Sequence, residues 1–281
     1  GRAQKVLYRY WRRRAYLSLF HLIFGDTMQK IFAANWKMYK TRAQASQSAG
    51  ELAKGLGQLP AGHEVVVFAP FTSISCVADA FNGKPALSVG GQNCYPAEEG
   101  AFTGETSPAM LRDAGASWVL TGHSERRHVM GEDDALVARK TIFALEHGLN
   151  VLLCIGETLD EREAGKLGAV LEKQLSAVFS AMPESLRGAA LVGRLAVGYE
   201  PVWAIGTGKV AGPEEVLDAH AVTRALLQKL VGETADKLPI LYGGSVKPNN
   251  AAGLMALDNV DGLLVGGASL EAQSFLQIIG A

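Results

Sequence analysis

The chain alternates short apolar runs, rich in Val, Ile and Leu, with longer stretches in which apolar residues recur every three or four positions. The runs cover residues 31–34, 64–69, 87–91, 118–122, 151–155, 195–199, 240–242 and 262–265. Short apolar runs of this kind predict parallel strands buried on both faces. The stretches between them predict amphipathic helices, clearest at 42–56, 134–147, 167–181 and 213–231. Pro213 opens the last of these, at the first helical position, where a missing N–H leaves no bond unmade. Strand and helix alternate without a break in composition, which predicts one domain. An open doubly wound sheet shares this rhythm, but its first strand normally leads into G-x-G-x-x-G. Here the first run leads into Asn35-Trp36-Lys37. The expected fold is therefore α/β, a single-domain (β/α)8 barrel.

Composition adjusts this picture mainly at the N-terminus. Residues 1–27 carry six Arg or Lys against one acid, Asp26, a net charge of +5, and the rest of the chain has a net charge of −6. The basic stretch followed by an 11-residue apolar run outlines a signal peptide but lacks an A-x-A cleavage pattern. The run is also far shorter than the ~20 residues a membrane span needs. Met28 then opens MQKIFAANWKM, so residues 1–27 are expected to be an extension, non-native or disordered, and 28–281 the catalytic domain. Those 254 residues match the ~250 typical of an eight-fold barrel. The body has no basic stripe to follow a phosphate backbone, which argues against nucleic acid. Cys76, Cys94 and Cys154 lack C-x-x-C spacing, sit in apolar surroundings and form no zinc-type cluster with the six histidines. A reducing, cytoplasmic setting without a metal is expected.

In such a barrel, chemistry collects just after the strands. Asn35 and Lys37 follow the first run; His123, Ser124 and Glu125 the fourth; Glu157 the fifth; Glu200 the sixth. Gly243-Gly244-Ser245 and Gly266-Gly267 follow the seventh and eighth, where bare backbone N–H groups can approach an anion and barrel phosphate sites recur. Two readings stand for each polar residue. Lys37 is a solvated strand-end lysine or an ammonium that steadies a dianion and developing negative charge. His123 is a turn histidine, or a neutral imidazole at a helix N-terminus able to donate to a carbonyl and shuttle protons. Glu200 is a capping or ion-pair glutamate, or a base at the first hinge of a lid. The stretch after it, stiff Pro201 to Trp203 and then the small residues 204–208, favours the lid.

Several segments together resemble the triosephosphate isomerase family: NWKM from Asn35, GHSERR from Gly122, CIGE from Cys154, YEPVWAIGTGK from Tyr199, YGGSV from Tyr242 and DGLLVGGASL from Asp261. The resemblance covers essentially all of residues 28–281 and implies a TIM barrel. It also implies interconversion of dihydroxyacetone phosphate and glyceraldehyde 3-phosphate without a cofactor, in glycolysis and gluconeogenesis. By the same resemblance Glu200 would be the base, His123 the neutral electrophile, and Lys37 and Asn35 the rest of the oxyanion set; the family is itself a standard illustration of such a glutamate–histidine pairing. Gly206, Ser245, Gly266 and Gly267 would bind phosphate. Ile205 and Leu264 would dry the carboxylate, Ser124 and Glu125 would support the site with Glu125 facing Lys37, and Glu157 and Tyr242 would hold the lid's two positions. The long connection 91–105, with Tyr95 and Phe102 on a projection, would carry Thr103 into a partner subunit's site, making a homodimer. Gly212, before the helix that follows the lid, and Thr121, ending the fourth strand, depart from the family's usual residues. The competing readings are a Schiff-base aldolase with Lys37 as nucleophile and a barrel without catalytic activity.

Overall fold

The computed structural model of the protein describes residues 29–205 and 209–280. Eight parallel strands close into a ring in sequence order: β1 (Lys30–Asn35), β2 (His63–Ala69), β3 (Leu87–Gly91), β4 (Trp118–Thr121), β5 (Asn150–Ile155), β6 (Leu195–Tyr199), β7 (Ile240–Tyr242) and β8 (Gly262–Val265). The ring closes where β1 meets β8, with Ile31 opposite Gly262 and Ala34 opposite Val265. Around it run α1 (Arg42–Gly55), α2 (Ile74–Ala80), α3 (Pro108–Asp113), α4 (Ser124–His128), α5 (Asp134–Glu146), α6 (Leu159–Glu163), α7 (Leu167–Ala181), α8 (Pro213–Val231), α9 (Pro248–Met255) and α10 (Ala272–Ile279). This is the (β/α)8 barrel that the alternating pattern predicts.

Successive side chains of a strand point to opposite faces. Ile31 and Ala33 of β1 therefore join Phe68, Trp118, Leu152 and Leu264 in a cluster that fills the barrel, whereas Phe32 and Ala34 join the larger layer between strands and helices. Neither face meets water, which explains why the strands read as unbroken apolar runs.

The runs at 87–91, 195–199, 240–242 and 262–265 coincide with β3, β6, β7 and β8. The run at 118–122 is one residue too long, because Gly122 turns to a φ of +68° and β4 stops at Thr121. α1 and α5 each end one residue earlier than expected, at Gly55 and Glu146. Gly212 caps α8 with no side-chain bond, at a cost of a few tenths of a kcal/mol. Glu214 and Glu215 lie in that helix's first turn, where acids are favourable. The Thr121 hydroxyl is satisfied by Thr141 Oγ1 at 2.8 Å. The expected extension at 1–27 lies outside the described residues. Among the described residues no helix is long and apolar enough to cross a membrane, and no cluster of three His, Cys, Asp or Glu could hold a metal.

One buried group links the fold to pH. α8 places His220 fully inside, where Nδ1–H donates to the Asn259 carbonyl at 2.7 Å and the ring meets Tyr199 edge-on. Nε2 has no partner among the described residues, so a proton added there would be a buried charge without an acceptor. Burial accordingly lowers the His220 pKa to about 4. Its folded value lies below its unfolded value, so the unfolded chain takes up the proton first, and stability is lost as pH falls from about 6.5 toward 4. We predict that this group alone removes about 2 kcal/mol between pH 7 and pH 5. Urea unfolding at fixed protein concentration should give His220→Gln a correspondingly shallower pH dependence. Identical slopes would show that His220 titrates normally.

Candidate active site

The C-terminal ends of the strands surround a cavity of about 280 Å3 lined by Asn35, Lys37, His123, Glu200, Ala204, Ile205, residues 243–247, Leu264, Gly266, Gly267 and Ala268. Residues from the ends of five strands thus meet in one space. Parity explains part of this, since Asn35 continues the inward-facing series of Ile31 and Ala33.

Glu200 is nearly inaccessible, and its main chain is fixed before its side chain is considered. Its N–H donates to Ile155 O at 2.7 Å, and its own carbonyl lies so close to Gly156 that a Cβ there would sit 1.7 Å from it. The carboxylate accepts the Ser124 N–H at 2.9 Å and the Ser124 hydroxyl at 3.2 Å, and lies 3.0 Å from His123 Nε2. Burial opposes its charge, but His123 and the Ser124 N–H outweigh burial and hold the carboxyl below its ordinary pKa. Its contacts thus favour the charged carboxylate although the setting is dry.

His123 caps α4, with Nδ1 accepting the Glu125 N–H at 3.3 Å. An Nδ1 that accepts carries no proton, so the neutral ring has its hydrogen on Nε2, toward Glu200 and within 3.1 Å of the Asn35 amide nitrogen. The sequence expectation of a depressed histidine needs correction for this arrangement. Burial does lower its pKa, but the Glu200 carboxylate and, more weakly, Glu125 lift it above the ordinary value. The lift depends on where Glu200 sits. Apart from Glu200, burial is the largest influence and favours the neutral ring, as does the Lys37 ammonium, against the weaker lift from Glu125.

Lys37 has a φ of +50°, a left-handed conformation costing on the order of 1–2 kcal/mol for a residue with a side chain. Its N–H donates to Asn35 Oδ1 at 2.9 Å, and its carbonyl accepts Gln92 Nε2 at 2.8 Å. The ammonium donates to Glu125 at 2.6 Å and lies beside Gly266, where a Cβ would be 3.3 Å from Lys37 Cε. Ser245, Gly266 and Gly267 line the same cavity, with Ile205 and Leu264 at its apolar side. Glu157, fully buried, accepts from Tyr199 at 3.0 Å and from Trp203, in the expected first hinge, at 2.9 Å. The Tyr242 hydroxyl lies under Gly244 and faces the Ser245 backbone without a hydrogen bond of normal geometry. Gly206 lies outside the described residues. Thr103 is the residue that the single chain does not bring in: it is exposed on the 91–105 connection, where the Tyr95 and Phe102 rings pack on each other at 4.4 Å.

Sequence reasoning missed two contributors. Gln92 reaches Lys37 O, Phe68 O at 3.0 Å and Asn35 Oδ1 at 3.3 Å, fixing the strained turn. It directly follows the third apolar run, so reading the residue after every run would have found it. Gly156 directly follows the fifth run in the same way, but no local pattern marks its importance, which lies in a contact between two strand ends.

A glutamate, an imidazole and an ammonium converging on a small, glycine-lined cavity at the strand C-termini define a barrel enzyme of the acid–base type. The family described as Triosephosphate isomerase matches residues 30–281. The triosephosphate isomerase of Oleidesulfovibrio alaskensis is 58% identical over 252 residues, covering 90% of this chain and 99% of the relative. That of Nitratidesulfovibrio vulgaris is 58% identical over 253 residues, with the same coverage, and that of Lawsonia intracellularis 46% over 254 residues, covering 90% and 98%. The chain belongs to the triosephosphate isomerase family.

The packing of Gly156 gives a prediction about the placement of Glu200. Gly156→Ala must push the end of β6 away and displace Glu200. Misplacement of about 1 Å can cost on the order of a hundredfold in rate. A loss of that size in isomerase turnover is expected, with the barrel's circular dichroism retained. Unimpaired turnover would mean that the two strand ends part without consequence.

Proposed function

We propose that this chain interconverts dihydroxyacetone phosphate and D-glyceraldehyde 3-phosphate, a step of glycolysis and gluconeogenesis, with Glu200 as the base and no cofactor. The observation that carries this reading is the buried Glu200 carboxylate within 3.0 Å of His123 at a cavity that also holds Lys37 and the glycine turns.

The substrate phosphate is received by the N–H groups of Ser245, Gly266 and Gly267, with Gly206 contributing from the lid. The Lys37 ammonium beside Gly266 serves both the phosphate and the substrate oxygens. Glu200 removes a proton from C1 of the ketone; the electron pair forms the C1–C2 double bond, and the C2 carbonyl oxygen becomes the enediolate oxygen. Asn35 and the Nε2–H of His123 steady that oxygen, and the imidazole carries a proton from O1 to O2. Glu200 then returns its proton to C2, leaving the aldehyde at C1. Atoms and electrons balance within the substrate.

Both Glu200 oxygens are occupied by Ser124 and His123, so the carboxylate must leave Ser124 to reach carbon. As it leaves, the charge that lifts the His123 pKa goes with it, and the ring is neutral when it is needed as a donor. Closure of the lid brings Ile205 over the carboxylate beside Leu264 and excludes water, which strengthens these interactions and protects the enediolate from losing its phosphate. Glu157 holds the first hinge through Trp203, and Tyr242 receives the lid in its second position.

The working unit is a homodimer in the cytoplasm. Met38, Phe71 and Met130 are exposed around a groove that runs to Asn35, Lys37 and His123, and Met38 is 95% exposed. A partner's 91–105 connection entering there would cover them and bring its Thr103 to the site.

In a coupled assay, Glu200→Gln is expected to lose at least ~10³-fold in turnover, the scale of a positioned general base. Near-normal isomerisation would overturn the mechanism, and borohydride trapping of a substrate adduct on Lys37 would favour a Schiff-base aldolase instead. Sedimentation is expected to give twice the chain mass of 29.8 kDa. Met38→Glu should shift the protein toward monomer and lower turnover by roughly tenfold or more, because a charge buried at an interface is costly. A wild-type chain that sediments as a monomer at full activity would exclude the dimer.

A further inference from the structure

Lys40 lies just outside the cavity and has no role in the reading above, yet its conformation is unusual. It has a φ of +74°, the left-handed region, and so repeats the strain seen at Lys37 three residues earlier. Its side chain folds back instead of entering solvent. The ammonium donates to the Leu270 carbonyl at 2.7 Å and the Ser48 hydroxyl at 2.7 Å, and sits 5.1 Å from the centre of the Trp36 ring. Trp36, itself buried, donates its indole N–H to the neighbouring Ser269 carbonyl at 3.2 Å.

Ser269 and Leu270 complete the turn that begins at Gly266 and Gly267. The Ser269 N–H donates to Gly266 O at 2.8 Å, and the Leu270 N–H to Gly267 O at 3.1 Å. The turn is closed by its own hydrogen bonds; its glycines line the cavity, and its far carbonyls are held from behind by Trp36 and Lys40. Lys37 touches its front, beside Gly266. The segment after β1 thus grips the turn after β8 on two sides, and the left-handed backbone at Lys40 accompanies the side chain's return to Leu270.

We propose that Lys40 is a positioning residue for the phosphate of the substrate: its ammonium, anchored on Leu270 O, Ser48 and the Trp36 ring, fixes the Gly266-Gly267 turn relative to Lys37. This rests on the reading that the turn receives the substrate phosphate. Binding energy from a remote, non-reacting group serves the reaction only if that group is held in register with the reacting carbons. Arginine can replace lysine here, since it keeps both the cation and donors; methionine keeps the stem over Trp36 and removes the charge.

The test compares wild type, Lys40→Met and Lys40→Arg with glyceraldehyde 3-phosphate, with unphosphorylated glyceraldehyde, and with inorganic phosphate as competitive inhibitor. Lys40→Met should raise KM for glyceraldehyde 3-phosphate and the inhibition constant of phosphate by about tenfold each. Its kcat/KM for glyceraldehyde should fall by less than about twofold, and Lys40→Arg should recover most of the loss. A parallel loss on both substrates, or unchanged phosphate inhibition in Lys40→Met, would overturn the proposal. A wild type inactive on triose phosphates would instead refute the reading on which the proposal rests.

Discussion

Closure of eight parallel strands into one ring is the constraint on which everything else depends. A closed ring has no free edge, so every strand must bury both faces, one in the barrel and one under the helices. All eight strands run the same way, so all eight C-terminal ends open on one rim. A residue placed after any strand is thereby brought near residues placed after the others. Asn35 and Gly266, more than two hundred positions apart, line one cavity for this reason.

The same constraint determined how much could be read from the sequence. Burial on both faces writes itself into the chain as unbroken apolar runs, and four of the eight strands coincide in bounds with those runs. Boundaries slipped where a single backbone angle intervened, as at Gly122. The polar residues after the runs could be located as candidates, because position after a strand is a sequence property. What each of them touches is not. Nothing in the sequence says that Gln92 restrains Lys37, that Gly156 abuts the Glu200 carbonyl, or that Lys40 turns back onto Leu270. These are contacts between separate strand ends, set by the register of the ring, and no local pattern encodes them.

Within the site, charge and position are coupled. His123 and Glu200 shift each other's proton affinity in opposite directions because each is the other's nearest charge in a place that excludes water. The protonation state of either residue is thus a property of the pair's separation. The two left-handed lysines add a second kind of stored tension: the chain after β1 is bent against its preference at Lys37 and again at Lys40, and is held there by carbonyl and amide contacts from β3 and β8.

The contact between Gly156 and the Glu200 carbonyl has a mechanical meaning. Glu200 is hydrogen-bonded through its N–H to β5 and pressed against Gly156 through its carbonyl, while the preceding Tyr199 carbonyl accepts the Gly243 N–H at 2.8 Å. Its main chain is a fulcrum. Whatever travel the carboxylate makes away from Ser124 must be rotation about side-chain torsions, along an arc whose radius is the length of the side chain. The barrel thereby gives the glutamate side chain a fixed base, a lever whose only freedom is its own torsions.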